Sequence, residues 1–226
     1  MAILDTKTTS ESQIKPTVCY FTNDAHVQEK LLQDVVLSVL ENLKKKHPSL
    51  SFELKPRLFL TEIAKIVNKI ESSTSFSSNF DSTFICPDGG IIYVIDPNDV
   101  TKKYPILISE MKTQGTLSPA KGNAIERLGK NVIALRTFLA NEQIIPLVVF
   151  CSGSDFSSNS IILDRLATIA QFAPLNQINL FNGTFVSSGS YFYNESNFKF
   201  DDMYKICYKI ATRALLFFAS KYDFEV

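Results

Sequence analysis

Three residues of this chain have the types and spacing needed to hydrolyse a phosphodiester bond. Asp88 stands in the run Pro87-Asp88-Gly89-Gly90, and Glu110 and Lys112 follow in Ser109-Glu110-Met111-Lys112. Residues two apart on a strand point to the same face, so Glu110 and Lys112 can converge, and Asp88 at a neighbouring turn can join them. Two carboxylates with an oxygen of the scissile phosphate make an all-oxygen metal site that suits Mg2+, with Asp88 and Glu110 as the protein ligands. Such an ion neutralises the phosphate and helps generate the nucleophile. The Lys112 ammonium can hold the attacking water and favour its hydroxide form. Taken alone the pattern is degenerate, because a Gly-Gly hairpin with an edge-strand ion pair would produce it equally well.

A second segment stands close by. With 3.6 residues per turn from Gly122 onward, Ile125, Leu128, Val132, Leu135 and Leu139 gather on one helix face. Asn123, Arg127 and Lys130 fall on the opposite face, with Glu126 at its edge. Asparagine pairs bidentately with adenine N6 and N7 in the major groove, and arginine, which prefers guanine, can donate to adenine N7. Pro119-Ala120-Lys121-Gly122 reads as an extended approach to this helix, with Gly122 allowing backbone close to bases. A plain solvated helix face would carry the same residues, so this pattern too is not decisive by itself.

These groups need a frame, and the chain supplies one. At 226 residues with 45% hydrophobic content, including 18 Phe and 8 Tyr, it can bury a substantial core in one domain spanning 1–226. Residues 1–17 are rich in Ser and Thr and read as a loose N-terminal arm. From about Asp24, Val27, Leu31, Val35, Val39 and Leu43 mark an amphipathic helix that ends at Lys44-Lys45-Lys46 and Pro48. Ser51–Leu54 reads as a strand, Thr61 as the N-cap of a helix bearing Ile63, Ile66, Val67 and Ile70, and 72–79 as a serine-rich loop. Thr83–Cys86 and Ile91–Ile95 read as strands joined at Asp88-Gly89-Gly90, followed by strands at Pro105–Ser109 and Leu147–Cys151. A helix at Ile161–Phe172, a strand at Ile178–Phe181 and a last helix at Asp201–Ala219 complete an α/β chain with a mixed sheet.

Composition excludes several classes. Lysine plus arginine and aspartate plus glutamate are both 23, so any nucleic-acid surface must be a local concentration of cations. The four cysteines, Cys19, Cys86, Cys151 and Cys207, are far apart in apolar surroundings and form no C-x-x-C pair. Reduced, buried thiols in a cytosolic protein are expected, not zinc ligands. His26 and His47 add no ligand cluster. The N-terminus carries no signal-peptide pattern, and no apolar run reaches membrane-span length, so cytoplasmic location without membrane association is the expectation.

Beyond pattern, the wording of the chain resembles a known family. Pro87-Asp88-Gly89-Gly90-Ile91, then Glu110-x-Lys112-x-Gln114-Gly115, then Gly122-Asn123-Ala124-Ile125-Glu126-Arg127 with Lys130-Asn131, is similar in order and spelling to the EcoRI-like type II restriction endonucleases of the PD-(D/E)XK superfamily. Phe150-x-x-Gly153-Ser154-x-Phe156 and Leu163-Asp164-Arg165-Leu166 extend the likeness, which covers roughly 80–220. The resemblance implies a restriction-endonuclease-like fold, a central mixed β-sheet flanked by helices. It also implies a homodimer that cleaves palindromic double-stranded DNA with Mg2+, leaving 5′-phosphates and a four-base 5′ overhang. Asp88, Glu110 and Lys112 match the family's metal ligands and catalytic lysine. Asn123 and Arg127 match residues contacting the adenines of a central AATT, and Glu126 matches an acid that buttresses the reading arginines. Ala120, Gly122 and Ala124, with Lys121 between them, match the extended chain along the groove, and Gln114 a glutamine near the thymines. Arg165 is kept, whereas Ile162 replaces a family arginine, and the segment between Gly115 and Gly122 is much shorter than the family's arm. The expected site is therefore an AATT core, flanked as in GAATTC or alone. Restriction also implies a methyltransferase of matching specificity as functional partner. A nuclease of the same fold without AATT specificity, or a non-catalytic DNA-binding protein, are the competing readings.

Overall fold

One apolar stripe, Leu32, Val35, Val36, Val39 and Leu43, is wholly buried and forms one wall of the core. At roughly 1.5–3 kcal/mol for each large aliphatic side chain removed from water, such a stripe decides where its helix docks. In the computed structural model, which describes residues 7–70, 82–115, 123–156, 179–181, 184–186 and 190–226, that helix is α1, Lys7–Lys46. It begins well before Asp24 and takes in much of the stretch read as an arm. Ser and Thr are weaker helix formers than Ala or Leu, but they do not terminate a helix.

After α1 come β1 (Ser51–Lys55), β2 (Leu58–Phe59), α2 (Leu60–Ile70), β3 (Phe84–Ile85), β4 (Ile91–Ile95), β5 (Lys103–Thr113) and α3 (Asn123–Phe138). Then follow β6 (Leu147–Ser152), a 3-10 turn at Ser154–Phe156, β7 (Asn179–Phe181), β8 (Thr184–Val186), β9 (Ser190–Asn194) and α4 (Phe200–Tyr222). Five strands form one sheet in the order β1-β4-β5-β6-β9. Pairing is antiparallel from β1 to β5 and parallel from β5 through β6 to β9, so the sheet is mixed.

Two cores lie on its two faces. On one, α1 and α4 cover Ile92, Val94, Ile106, Met111, Val148 and Phe150. On the other, Leu128, Val132, Leu135 and Leu139 of the α3 segment cover Ile91, Tyr93, Ile108, Leu147, Val149 and Cys151, with α2 beside them. The arrangement is a sheet flanked by helices on both faces, as expected. The parallel pair β5–β6 is bridged by α3, which a crossover between parallel strands requires.

Several local expectations change. Asp88-Gly89-Gly90 does make a tight turn, with the Gly90 N–H donating to Pro87 O at 2.9 Å and Gly90 at φ +75°. It does not close a hairpin, because β3 pairs with β2 while β4 pairs with β1 and β5. Turn chemistry specifies a change of direction, not the partner of the strand that follows. Thr61 lies inside α2 rather than capping it, since the helix starts at Leu60, whose N–H donates to Thr83 O. Cys86 is exposed, unlike the buried Cys151 and Cys207. The expected helix 161–172 and loop 72–79 lie outside the described residues. Among the described residues, no helix is long and apolar enough to cross a membrane.

Candidate active site

The site forms where a turn and a strand end meet under α3. On β5, Ile108, Glu110 and Lys112 alternate onto the face that α3 covers, while Met111 points to the α1 side. The turn carrying Asp88 is seated between layers. Its Gly89 N–H donates to Ser109 O at 3.0 Å, and Gln33 of α1 donates through Nε2 to Asp88 O at 3.2 Å. Gly89 is there for space, because a Cβ at this position would fall 2.0 Å from Ser109 Oγ and 2.9 Å from a Val36 methyl.

Held this way, the Asp88 carboxylate reaches β5. Its Oδ2 accepts from the Met111 N–H at 2.8 Å and lies 3.0 Å from Lys112 Nζ. The same ammonium is 3.2 Å from Glu110 Oε2, and Asn131 of α3 donates through Nδ2 to Glu110 Oε1 at 3.0 Å. The three residues expected to share one site therefore meet around one nitrogen.

Electrostatics set the character of this cluster. Glu110 is 0% exposed, and burial pushes its carboxyl up to about 7, partly opposed by the Lys112 charge and reinforced by Asp88. Burial works against the Lys112 ammonium, but Glu110 and Asp88 together outweigh it and raise its pKa above the ordinary value. Two carboxylates thus share one cation in a site that remains short of positive charge.

That shortage is the test of whether a metal fits. Among the described residues, no group of three or more His, Cys, Asp or Glu side chains gathers. Mg2+ is commonly held by one or two carboxylates, with water and phosphate oxygens completing its shell. Asp88 and Glu110 match that donor set, and an added cation would favour the charged form of Glu110.

The remaining expected residues are distributed as follows. Arg127 and Lys130 are exposed on α3, on the side away from its buried Leu128, Val132 and Leu135. Asn123, Ala124 and Glu126 lie in the first turn of α3, and their side chains fall outside the described residues. Ala120, Lys121, Gly122 and Arg165 also lie outside them. Gln114, just past the end of β5, is buried, and neither atom of its side-chain amide has a hydrogen-bond partner among the described residues. Its backbone N–H donates to Ser152 O at 2.8 Å, and Gly153 (φ +120°) backs against it so closely that a Cβ would fall 2.1 Å from Gln114 O.

Sequence reasoning missed two contacts. Gln33 carried no signal, because it is one polar residue among many on α1. Asn131 did carry one: one turn after Arg127, it sits at the seam between the polar face and the buried stripe.

Comparison with known proteins gives the family. The family model for restriction endonuclease EcoRI matches residues 14–225. The type II restriction enzyme RsrI of Cereibacter sphaeroides is 31% identical over 151 residues, covering 59% of this chain and 54% of that protein. The type II restriction enzyme EcoRI of Escherichia coli is 29% identical over 162 residues, covering 64% of this chain and 58% of that protein. The matched stretches thus span little more than half the length of either relative. With the family model matched along nearly the whole sequence, the chain belongs to the EcoRI restriction endonuclease family.

Proposed function

We propose that this chain is a type II restriction endonuclease that hydrolyses double-stranded DNA at a palindromic site with an AATT core, leaving 5′-AATT overhangs and 5′-phosphates. The observation that carries the reading is the Lys112 ammonium held between Asp88 and Glu110 on the sheet face that α3 covers. Hydrolytic chemistry and a base-reading helix are thereby built into one layer. Family membership and the type II restriction activity of both relatives support the reaction class.

In this reading Asp88 and Glu110 hold a divalent ion, Mg2+ by their all-oxygen chemistry. The ion supplies charge neutralisation on the scissile phosphate. Lys112 holds the attacking water and favours its deprotonation. The water oxygen bonds to phosphorus, the bond from phosphorus to the 3′ oxygen breaks, and that oxygen leaves as a 3′ hydroxyl after taking a proton. Asn123 and Arg127 read adenines, with Lys130 toward the backbone and Glu126 bracing the arginine. Ala120, Lys121, Gly122 and Ala124 follow the groove. Gln114 meets the thymines, a role supported by its buried amide, which has no hydrogen-bond partner among the described residues. One α3 reads one half-site, so a homodimer matches the two-fold symmetry of the target. Protection of the host then requires a methyltransferase of the same specificity, and a cytoplasmic location follows from the reaction.

The test is a digest of long DNA of known sequence with Mg2+, with the ends sequenced. Ends that all begin 5′-AATT are expected, and the bases flanking them state whether outer pairs are read. Ends of random sequence would replace the proposal with a nuclease lacking that specificity. Binding without cleavage in Mg2+ or Mn2+ would leave a non-catalytic DNA-binding protein.

A further inference from the structure

We infer that Asn131 is a positioning residue through which α3 sets the Glu110 carboxylate, so that seating of the base-reading helix and formation of the metal site are one event. The inference rests on the catalytic and base-reading roles proposed above.

The two oxygens of Glu110 are held differently. Oε2 faces the shared Lys112 ammonium at 3.2 Å, whereas Oε1 accepts from the Asn131 amide at 3.0 Å. A wholly buried carboxylate needs donors, and their kind matters. A second cation at Oε1 would neutralise the site and compete with a metal. A neutral amide orients the carboxylate and leaves its charge available, and ligating carboxylates commonly have such outer partners.

Asn131 cannot follow Glu110 independently of its helix. Leu128, Val132 and Leu135 flank it in sequence and are 0% exposed, so Asn131 moves only as the packed helix moves as a body. Arg127 precedes it by one turn and Asn123 by two, on the same side of the helix. A displacement of α3 by about 1 Å, caused by a wrong base against those side chains, would stretch the amide contact beyond hydrogen-bond range. Glu110 would then lose its orientation while the DNA could still be bound.

The experiment compares wild type, Asn131→Ala and Asn131→Gln in three measurements. These are Mn2+ titration of the protein by calorimetry, metal-free binding to an AATT duplex and to one with a single base changed, and single-turnover cleavage of both duplexes against Mg2+ concentration. Asn131→Ala should bind Mn2+ about tenfold more weakly and cleave the AATT duplex about 10–100-fold more slowly. Its cleavage preference for AATT should shrink while its binding preference stays that of wild type. Asn131→Gln keeps an amide donor on a longer arm and should recover part of both losses. Unchanged Mn2+ affinity together with unchanged cleavage preference would overturn the inference. So would a loss confined to DNA binding or to the melting temperature, which a purely structural contact predicts. If wild type does not cut AATT sites, the proposed function fails on its own, and the Mn2+ titration still decides the link from Asn131 to Glu110.

Discussion

At the scale of single residues, Glu110 makes the most exacting demands. Its carboxyl is raised from 4.5 to about 7 chiefly by burial, so the folded, metal-free protein binds more protons there than the unfolded chain. The stabilising contribution is full below about 4.5 and is lost as pH rises through about 7. Glu110→Gln removes that titration. In the presence of a chelator, the melting temperature of Glu110→Gln relative to wild type should therefore climb between pH 5 and pH 8. A difference that stays flat over this range would show that Glu110 does not carry the shift. Metal binding runs the other way with pH, strengthening as pH rises through about 7, since only the ionised carboxylate is a ligand. Lys112→Ala belongs to the same cluster and is expected to lower single-turnover cleavage by at least about 10²-fold, with metal-free DNA binding retained. Equal losses of binding and cleavage would instead make Lys112 a DNA contact. The convergence of Asp88, Glu110 and Lys112 was legible from strand alternation and a turn signal. The depth of Glu110 was not, because burial depends on α3 closing over β5, which no local pattern states.

Among the elements, the turn before β4 does more than reverse the chain. Gly89 is enclosed by Ser109 Oγ and Val36, so Gly89→Ala must push the turn away from β5 and carry Asp88 with it. Overpacking of this kind costs about 1–3 kcal/mol, and cleavage should fall alongside stability. Replacing Ser109 by Ala in the same chain removes the closest obstructing atom and should restore part of both, as read from a double-mutant cycle of urea midpoints. Strict additivity of the two substitutions would mean the clash is relieved elsewhere. The glycines could be read from the sequence as a turn, yet their partner strands could not. β3 is only two residues long and is matched to β2. By contrast α3 and most of its stripe were legible, because Leu128, Val132, Leu135 and Leu139 keep a 3.6-residue period over several turns, while the side chain of Ile125 lies outside the described residues. The short strands β2 and β8 carried too few residues to show any period.

Across the whole molecule, a balanced charge of 23 basic and 23 acidic residues leaves DNA affinity to local cations such as Arg127 and Lys130. Affinity should therefore fall as salt rises, with a modest slope set by the few phosphates contacted. A slope as steep as that of a strongly basic protein would require a larger cationic surface than α3 offers. The layer beneath the sheet has a different consequence. It is assembled from the first and last helices, with Gln28 of α1 bonding Phe198 at both its backbone N–H and C=O, and Asn42 bonding Tyr204 of α4. Contacts between such distant positions form late, after most of the loop between them has been ordered. While the chain is still on the ribosome, α1 has no α4 to pack against, and the Asp88 turn rests on an unfinished layer. Chains arrested before residue 200 are expected to be protease-sensitive and unable to nick DNA, whereas chains released after Tyr222 resist and cut. For the endonuclease proposed above, synthesis then acts as a timer, and the helix that completes this layer is the step that arms the site.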